Sequence, residues 1–511
     1  MVFKTKFKKT FTTFIISILI LLLSNISVFA FNINDKINIY NTSDIESRNQ
    51  IDITNIKNTN YINFHVDKNW WDQLSKANKA KVDNFINILS SEFEYNIYIK
   101  ILKIFPGVRQ WLSFEDRIDL VFTPMSSGIQ GYVRWDDFNT KEQSKTSNDG
   151  NIIYMNSLNV VNPSISNNVL FSFFSHELMH LITYHEKNLK YNLEEETWLE
   201  ELRSEYLANY LGYNKTKDSY LNFRLQNGVS LTNINLVDWD NTSNSYSLIN
   251  LFSIYLANRF SESIIFDTLK SNYIGISSIN HFLSQNGYSE TFKDIYQDWV
   301  IANIINDCSI DKNYCYENIG IHINIPGTSF YLPLQNNSVL SISDSLSNYQ
   351  TKYQKIVGGS DNLEIIIENS DNNIFKKLPY ILIDKEGNKT LNFFDFKSQL
   401  VQKAYISNYS QKYVNIIIIP MFASNNDVKT QLFKWHINST QRSGDIPTKP
   451  VVRTTATSKE ESTTTTTTQP ENTNTTPIII NIISPEKIKP IYNTVISSIK
   501  NFFLRIWSWV F

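Results

Sequence analysis

Two cysteines, Cys308 and Cys315, are all that this chain of 511 residues carries. No second Cys/His pair lies beside them, so they form no cysteine-based metal cluster. In NDCSIDKNYCY they are either one short-loop disulfide, which suits a secreted context, or two unrelated thiols. An excess of charge of one sign is missing as well. Lysine and arginine (47) nearly match aspartate and glutamate (49), leaving a net charge of −2 and no basic field for nucleic acid. Asp and Asn are plentiful, yet no D-x-[DN]-x-[DN]-G calcium loop stands out. Long apolar runs are scarce. The run from Phe14 to Leu23 is too short for a membrane span. It follows Lys4, Lys6, Lys8 and Lys9 and precedes a small-residue cleavage site at Val28-Phe29-Ala30, which makes residues 1–30 a secretory signal peptide. No cysteine follows the run, which excludes lipoprotein processing, and no sortase-type signal is present. A secreted protein is expected, with attachment to the cell surface left open.

What is present starts with a large apolar content. Hydrophobic residues make up 42% and aromatic ones 14%, enough for more than one core. Histidine is rare, with seven in the chain, and two of them fall in His176-Glu177-Leu178-Met179-His180. On a helix, residues i and i+4 share a face, so both imidazoles can point at one ion. Zinc accepts two such nitrogens, usually takes a third protein ligand, and leaves a position for water. Its bound water ionises near pH 7, and Glu177 lies where it can take that proton. The third ligand should be a His or a carboxylate further on. Glu201 in WLEELRSEY is well placed, with Glu205 one turn beyond on the same face. The competing reading is a surface amphipathic helix. Val169, Leu170, Phe171, Phe173 and Phe174 argue for a buried helix instead, and buried His, Glu and His need partners. Two neighbours are set aside. His185 does not complete the metzincin pattern, because the position three after His180 is Thr183 rather than Gly, so it is structural or rim-lining. Glu194-Glu195-Glu196 is expected to be a solvated helix start.

HELMHLITYHEK followed by ETWLEELRSEY resembles the gluzincin metallopeptidases, in particular their hyicolysin-like branch. FEYNIYIKIL, RIDLVFTPM, GYVRWDDF, NIIYMNS and SYSLINLFSIYLANRF fall in the same order as comparable segments there, so the resemblance spans roughly residues 61–320. It implies that His176, His180 and Glu201 bind Zn2+ and that Glu177 is the general base. The sequence departs from that pattern at Glu200 and Leu202, where the family has Asn and Gly. Glu200 and Glu201 therefore both stand as third ligand; helix phase favours Glu201, since Glu205 then fits as the carboxylate that orients a ligand histidine. The resemblance further implies a tyrosine that donates to the oxyanion. Tyr246 is the candidate, with His281 behind it, although any of 27 tyrosines can be a packing residue. GYVRWDDF is either a substrate-pairing edge strand or ordinary sheet. No G-x-M-E-N-like segment is visible, which favours an endopeptidase over an aminopeptidase.

The expected order along the chain is as follows. Residues 31–60 are a flexible lead or short propeptide. Helical spacing predicts one long helix from Trp70 to Phe105, then strands at 117–125, 131–136 and 151–155. The two site helices come next, and a mostly helical stretch runs to about 310. Short alternating apolar runs from 325 to 440 predict an antiparallel β-sandwich accessory module. A Thr/Pro-rich linker (441–476) leads to an amphipathic tail (477–511). Within it, residues 490–511 either contact a membrane surface or cell envelope through Trp507, Trp509 and Phe511, or dock back on the protein. The fold class is thus α+β, with a thermolysin-like catalytic domain (61–320) ahead of the sandwich. The expected activity is zinc-dependent hydrolysis of protein or peptide substrates. The alternative is a non-catalytic envelope-binding protein with a structural or degenerate zinc site, against which Glu177 argues, because a structural site needs no base.

Overall fold

The computed structural model describes residues 36–114, 116–214, 234–317, 328–334, 337–370, 373–397, 399–424, 429–440 and 479–483. The signal-peptide segment, the 441–476 linker and residues 490–511 lie outside the described residues. No helix among the described residues is long and apolar enough to cross a membrane. The architecture is α+β, with several separate sheets and a set of helices. The chain divides into two units: the first holds the described residues up to Glu194 together with those from Arg203 to Asn214, the second those of Glu195–Leu202 and from Ile234 onward.

The first unit is built on a six-stranded sheet of β1 (Lys36–Asn38), β2 (Gln50–Asn58), β3 (Ile62–Asp67), β4 (Ile118–Thr123), β5 (Gly131–Tyr132) and β6 (Ile152–Asn156), in the order β1-β2-β3-β4-β6-β5. The β3–β4 and β4–β6 pairings are parallel and the others antiparallel. All six side chains of β4 (IDLVFT) are buried, as a central strand covered on both faces requires. The first two strands correct the expected flexible lead at 31–60. Ile37, Ile39, Ile51 and Ile53 are buried in one cluster with Val121 and Tyr154, so the folded unit begins by Lys36. Their period is hard to see because alternation in β2 lasts only four residues before a register shift between Asn55 and Lys57.

The expected single helix is broken near its start. α1 (Lys68–Gln73) stops at Leu74, whose extended backbone lets Ser75 cap α2 (Lys76–Glu92) by accepting from Asn78 N–H. A π-helical turn, Phe93–Ile97, joins α2 to α3 (Tyr98–Ile104). After β6 come α4 (Ser157–Val161), α5 (Asn167–Thr183), which runs into a π-helical turn at Tyr184–Leu189, and α6 (Thr197–Leu211).

The second unit holds α7 (Ser243–Phe260), α8 (Ser263–Phe266), α9 (Gly275–Gln285) and α10 (Phe292–Ile305), the last with a Thr291/Asp294 capping box. Of the two readings of the cysteines, the disulfide is present, closing a short loop after α10. Two five-stranded sheets follow. One is ordered Lys389–Asp395, Lys377–Asp384, Tyr413–Ile418, Gln354–Gly358, Thr328–Leu332; the other Val401–Ile406, Asn362–Glu368, Thr430–Thr440, Ser338–Ser347, Ile479–Ile483. Trp435 of the second sheet donates to Gln354 of the first and meets Phe330 edge-on, so the two sheets face each other. The pairings are antiparallel except at one edge of each sheet. There Thr328–Leu332 lies parallel to Gln354–Gly358, and Ile479–Ile483 parallel to Ser338–Ser347. Neither pair is joined by a hairpin, which is what frees it to be parallel. Tyr353 Oη donates to Val300 O and Lys389 Nζ to Ile304 O, so α10 packs in one unit with these strands, while its Phe292 also meets the rings of Trp198 and Phe252.

Candidate metal centre

Helix α5 is apolar nearly all round and buried along most of its length, so its polar residues are held without freedom. The four-residue step puts the rings of His176 and His180 side by side, with Nε2 facing Nε2 at 3.3 Å. His180 is buried, while His176 keeps a little exposure. Glu205 Oε1 stands 3.3 Å from the other ring nitrogen of His176, Nδ1. A carboxylate at that position accepts from Nδ1–H in the tautomer whose Nε2 lone pair faces His180. The end of α6 is fixed within the first unit. Lys100 Nζ donates to Leu211 O at 3.0 Å, and Tyr213 Oη donates to Glu92 Oε1 at 2.8 Å.

One turn before Glu205, Glu201 has no exposure at all. One ligand atom from each of His176, His180 and Glu201 lies within 4.8 Å of the others. Glu200 is buried too but does not join that group. Two imidazole nitrogens and one carboxylate oxygen, with a second carboxylate behind one ring, are the donor chemistry of a zinc site with three protein ligands. The residues present fit the ion.

Glu177 is buried beside the two histidines and reaches the edge of the sheet. A Cβ placed on Gly131 would stand 3.0 Å from Glu177 Cγ, 3.1 Å from its Oε1 and 2.9 Å from Tyr154 O. Gly131 is thus a close-approach glycine, and no residue with a side chain fits there without displacing the Tyr154 carbonyl and the Glu177 side chain. It opens β5, the end strand of the sheet, whose pairing within the sheet is to β6 alone. Gly131 carries no motif in the sequence. The available signal was a glycine heading a strand of aromatic and branched residues. The strand itself is shorter than the expected 131–136. It ends at Tyr132, and Trp135–Phe138 form a 3-10 turn. A buried polar network sets that bend. Arg134 Nη1 donates to Asp137 Oδ1 at 2.7 Å and to Asn38 O at 3.0 Å, and Tyr154 Oη donates to Asp137 Oδ2 at 2.8 Å. Burial raises the Asp137 carboxyl to about 6 against the opposing pull of Arg134.

His185 is a packing residue. Its ring lies flat on Trp111, centroids 4.0 Å apart, with Nε2 at 2.9 Å from Asn151 Oδ1, and burial lowers its pKa to about 4. The acidic run 194–196 differs from the expected solvated start at one position. Glu195 is buried and accepts from Gly275 N–H at 2.7 Å, capping α9, whereas Glu194 and Glu196 are exposed. Tyr246 sits in the first turn of α7, its ring edge-on to Trp239 at 4.9 Å. His281 on α9 stacks against Tyr273 at 4.4 Å. These contacts are packing contacts.

No family model matches the chain, and no curated protein matches it. Among solved structures, it is similar to PliG, a periplasmic inhibitor of g-type lysozyme from Aeromonas hydrophila, at 10% identity, 22% of this chain, 96% of that one and a TM-score of 0.16. It is also similar to the pre-peptidase C-terminal domain of a Bacillus anthracis collagenase, at 13% identity, 22% and 96% coverage and a TM-score of 0.16. A GH115 4-O-methyl-α-glucuronidase follows at 9% identity, 63% and 51% coverage and a TM-score of 0.14. Likenesses this weak carry no argument about fold or function.

Proposed function

We propose that the chain is a secreted, zinc-dependent endopeptidase with a gluzincin, thermolysin-like catalytic fold, acting on protein or peptide substrates. The observation that carries this reading is the convergence of His176, His180 and the buried Glu201 on one point. His176 Nε2, His180 Nε2 and a Glu201 oxygen would hold the ion. Zinc bound there supplies Lewis acidity and lowers the pKa of a water toward about 7. The chain's own residues do the rest. Glu205 fixes the tautomer of His176. Glu177 takes the proton of the attacking water and hands it to the leaving amine. The edge of β5 offers N–H and C=O groups to an extended peptide, and the bare Cα of Gly131 lets that strand lie against the Glu177 carboxylate. The oxyanion donor that the resemblance assigns to Tyr246 belongs to the same proposal.

The test compares the full chain with its Glu177→Ala variant for zinc content and casein cleavage. One zinc per chain is expected in both, with cleavage by the wild type alone, abolished by chelator and restored by zinc. If both hold zinc and neither cleaves a broad panel of proteins, an envelope-binding protein with a structural ion is favoured. If neither holds zinc, the reading fails at its root.

A further inference from the structure

The face of α5 that carries His176 and His180 does not end with them. The next four-residue step is Tyr184, the first residue of the π-helical turn, whose N–H still bonds to His180 O. Its ring lies flat against Phe138, centroids 3.6 Å apart and planes 5° from parallel. Trp135 meets the same ring edge-on at 5.9 Å. Trp135 and Phe138 are the two ends of the 3-10 turn that follows β5, and the buried Arg134–Asp137 pair holds that turn in place. An aromatic platform therefore joins the end of the ligand helix to the end of the edge strand. Val133, Arg134 and Asp137 of this segment are buried, whereas Trp135, Phe138 and Tyr184 each keep part of their surface open.

We infer that Trp135, Phe138 and Tyr184 form a side-chain subsite that receives a large apolar or aromatic residue of the peptide substrate and sets cleavage preference. The inference rests on the peptidase reading. Position supports it. Tyr184 lies one turn past His180, a rise of about 6 Å, and an extended peptide advances about 3.3 Å per residue. A side chain on the platform thus belongs to a residue within about two positions of the scissile bond. Chemistry supports it as well. The Phe138 and Tyr184 rings are covered on one face by each other and meet His185 edge-on, yet each keeps part of its surface open. Such partly open rings gain from another ring at offset or edge-on distance, while an alanine methyl covers little of them and a carboxylate leaves them wet.

The experiment uses the full chain and matched peptides that differ at one position around a cleaved bond, carrying Phe, Leu, Ala or Asp there. The wild type should show kcat/KM at least about tenfold higher for Phe than for Ala at one position within two residues of that bond. Phe138→Ala should bring the ratio near one, and Tyr184→Phe, which keeps the ring, should preserve it. Trp135→Ala gives a second route to the same collapse should Phe138→Ala fold poorly. Binding supplies a readout apart from turnover: in a Glu177→Gln background the Phe peptide should bind more tightly than the Ala peptide, and Phe138→Ala should erase that difference. If a folded, zinc-loaded Phe138→Ala protein keeps the wild-type preference, the subsite is overturned and the peptidase reading stands. If the wild type cleaves no peptide at all, both fall.

Discussion

Glu205 touches no substrate in the proposed mechanism, yet replacing it should weaken zinc binding by a predictable amount. Its carboxylate stands 3.3 Å from His176 Nδ1, and the two side chains are 6% and 16% exposed, so water competes weakly for the contact. While the carboxylate accepts from Nδ1–H, the imidazole stays in the tautomer whose Nε2 faces His180. Losing such a partner typically lowers metal affinity 10- to 100-fold, about 1.4–2.7 kcal/mol. Glutamine keeps the shape and one acceptor oxygen but not the charge, so Glu205→Gln belongs near the lower figure. Glu205→Ala removes this contact altogether and belongs near the upper one. Glu201→Ala removes a ligand outright and should cost more than either. The assay is competition between the full chain and a chromophoric zinc chelator at neutral pH, which reads affinity without relying on turnover. If both Glu205 variants hold zinc within about twofold of the wild type, Glu205 does not orient His176 as a ligand.

Two further outcomes follow from the same neighbourhood. The neutral ring of His185 is enforced by burial, with its pKa lowered from 6.5 to about 4. The unfolded chain takes up a proton below about pH 6.5 that the folded chain refuses, so this contribution is complete above that pH and is lost as pH falls toward 4, by roughly 3 kcal/mol in all. His185→Phe, which keeps the stack on Trp111, should flatten urea-unfolding free energy across that window; an unchanged pH slope would refute the account. Gly131→Ala puts a methyl 2.9 Å from Tyr154 O and about 3 Å from Glu177. The contact with the sheet carbonyl forces β5 itself to shift and the Glu177 side chain with it, and cleavage of casein should drop at least about tenfold with zinc content unchanged. Full activity in that variant would show that the Gly131 contact does not position Glu177.

Helix phase made the candidate metal centre legible. The spacing of His176 and His180, and of Glu201 and Glu205, is local geometry that four-residue steps encode, and the structure gathers those four side chains as the steps require. Features set by partners far along the chain were harder to see. β1 and β2 contain many Asn, Asp and Thr, and they become strands through pairing with β3 and burial of a few isoleucines against Val121 and Tyr154. Glu195 looks like one of three solvated acids until Gly275, in another helix, presents its N–H. The break at Ser75 needed its cap to be recognised inside an otherwise helical period.

The same contrast separates chemistry from specificity at the site. The candidate ligands and the proposed base lie on α5 and α6, where residue identity and phase announce them. The surface that a peptide would meet is built where α5 runs out beside β5, from Gly131, Trp135, Phe138 and Tyr184. None of these four is unusual in sequence. Gly131 gains its meaning from the Glu177 carboxylate 3.1 Å from its missing Cβ, and Phe138 from a tyrosine ring 3.6 Å away. Both contacts cross from the sheet edge to the helix, so they depend on how β5 ends, and the buried Arg134–Asp137 pair decides that. Weakening this pair with Asp137→Asn should therefore disturb peptide preference before it disturbs zinc affinity, since Arg134 and Asp137 support the turn that carries Trp135 and Phe138 and touch none of the ligands.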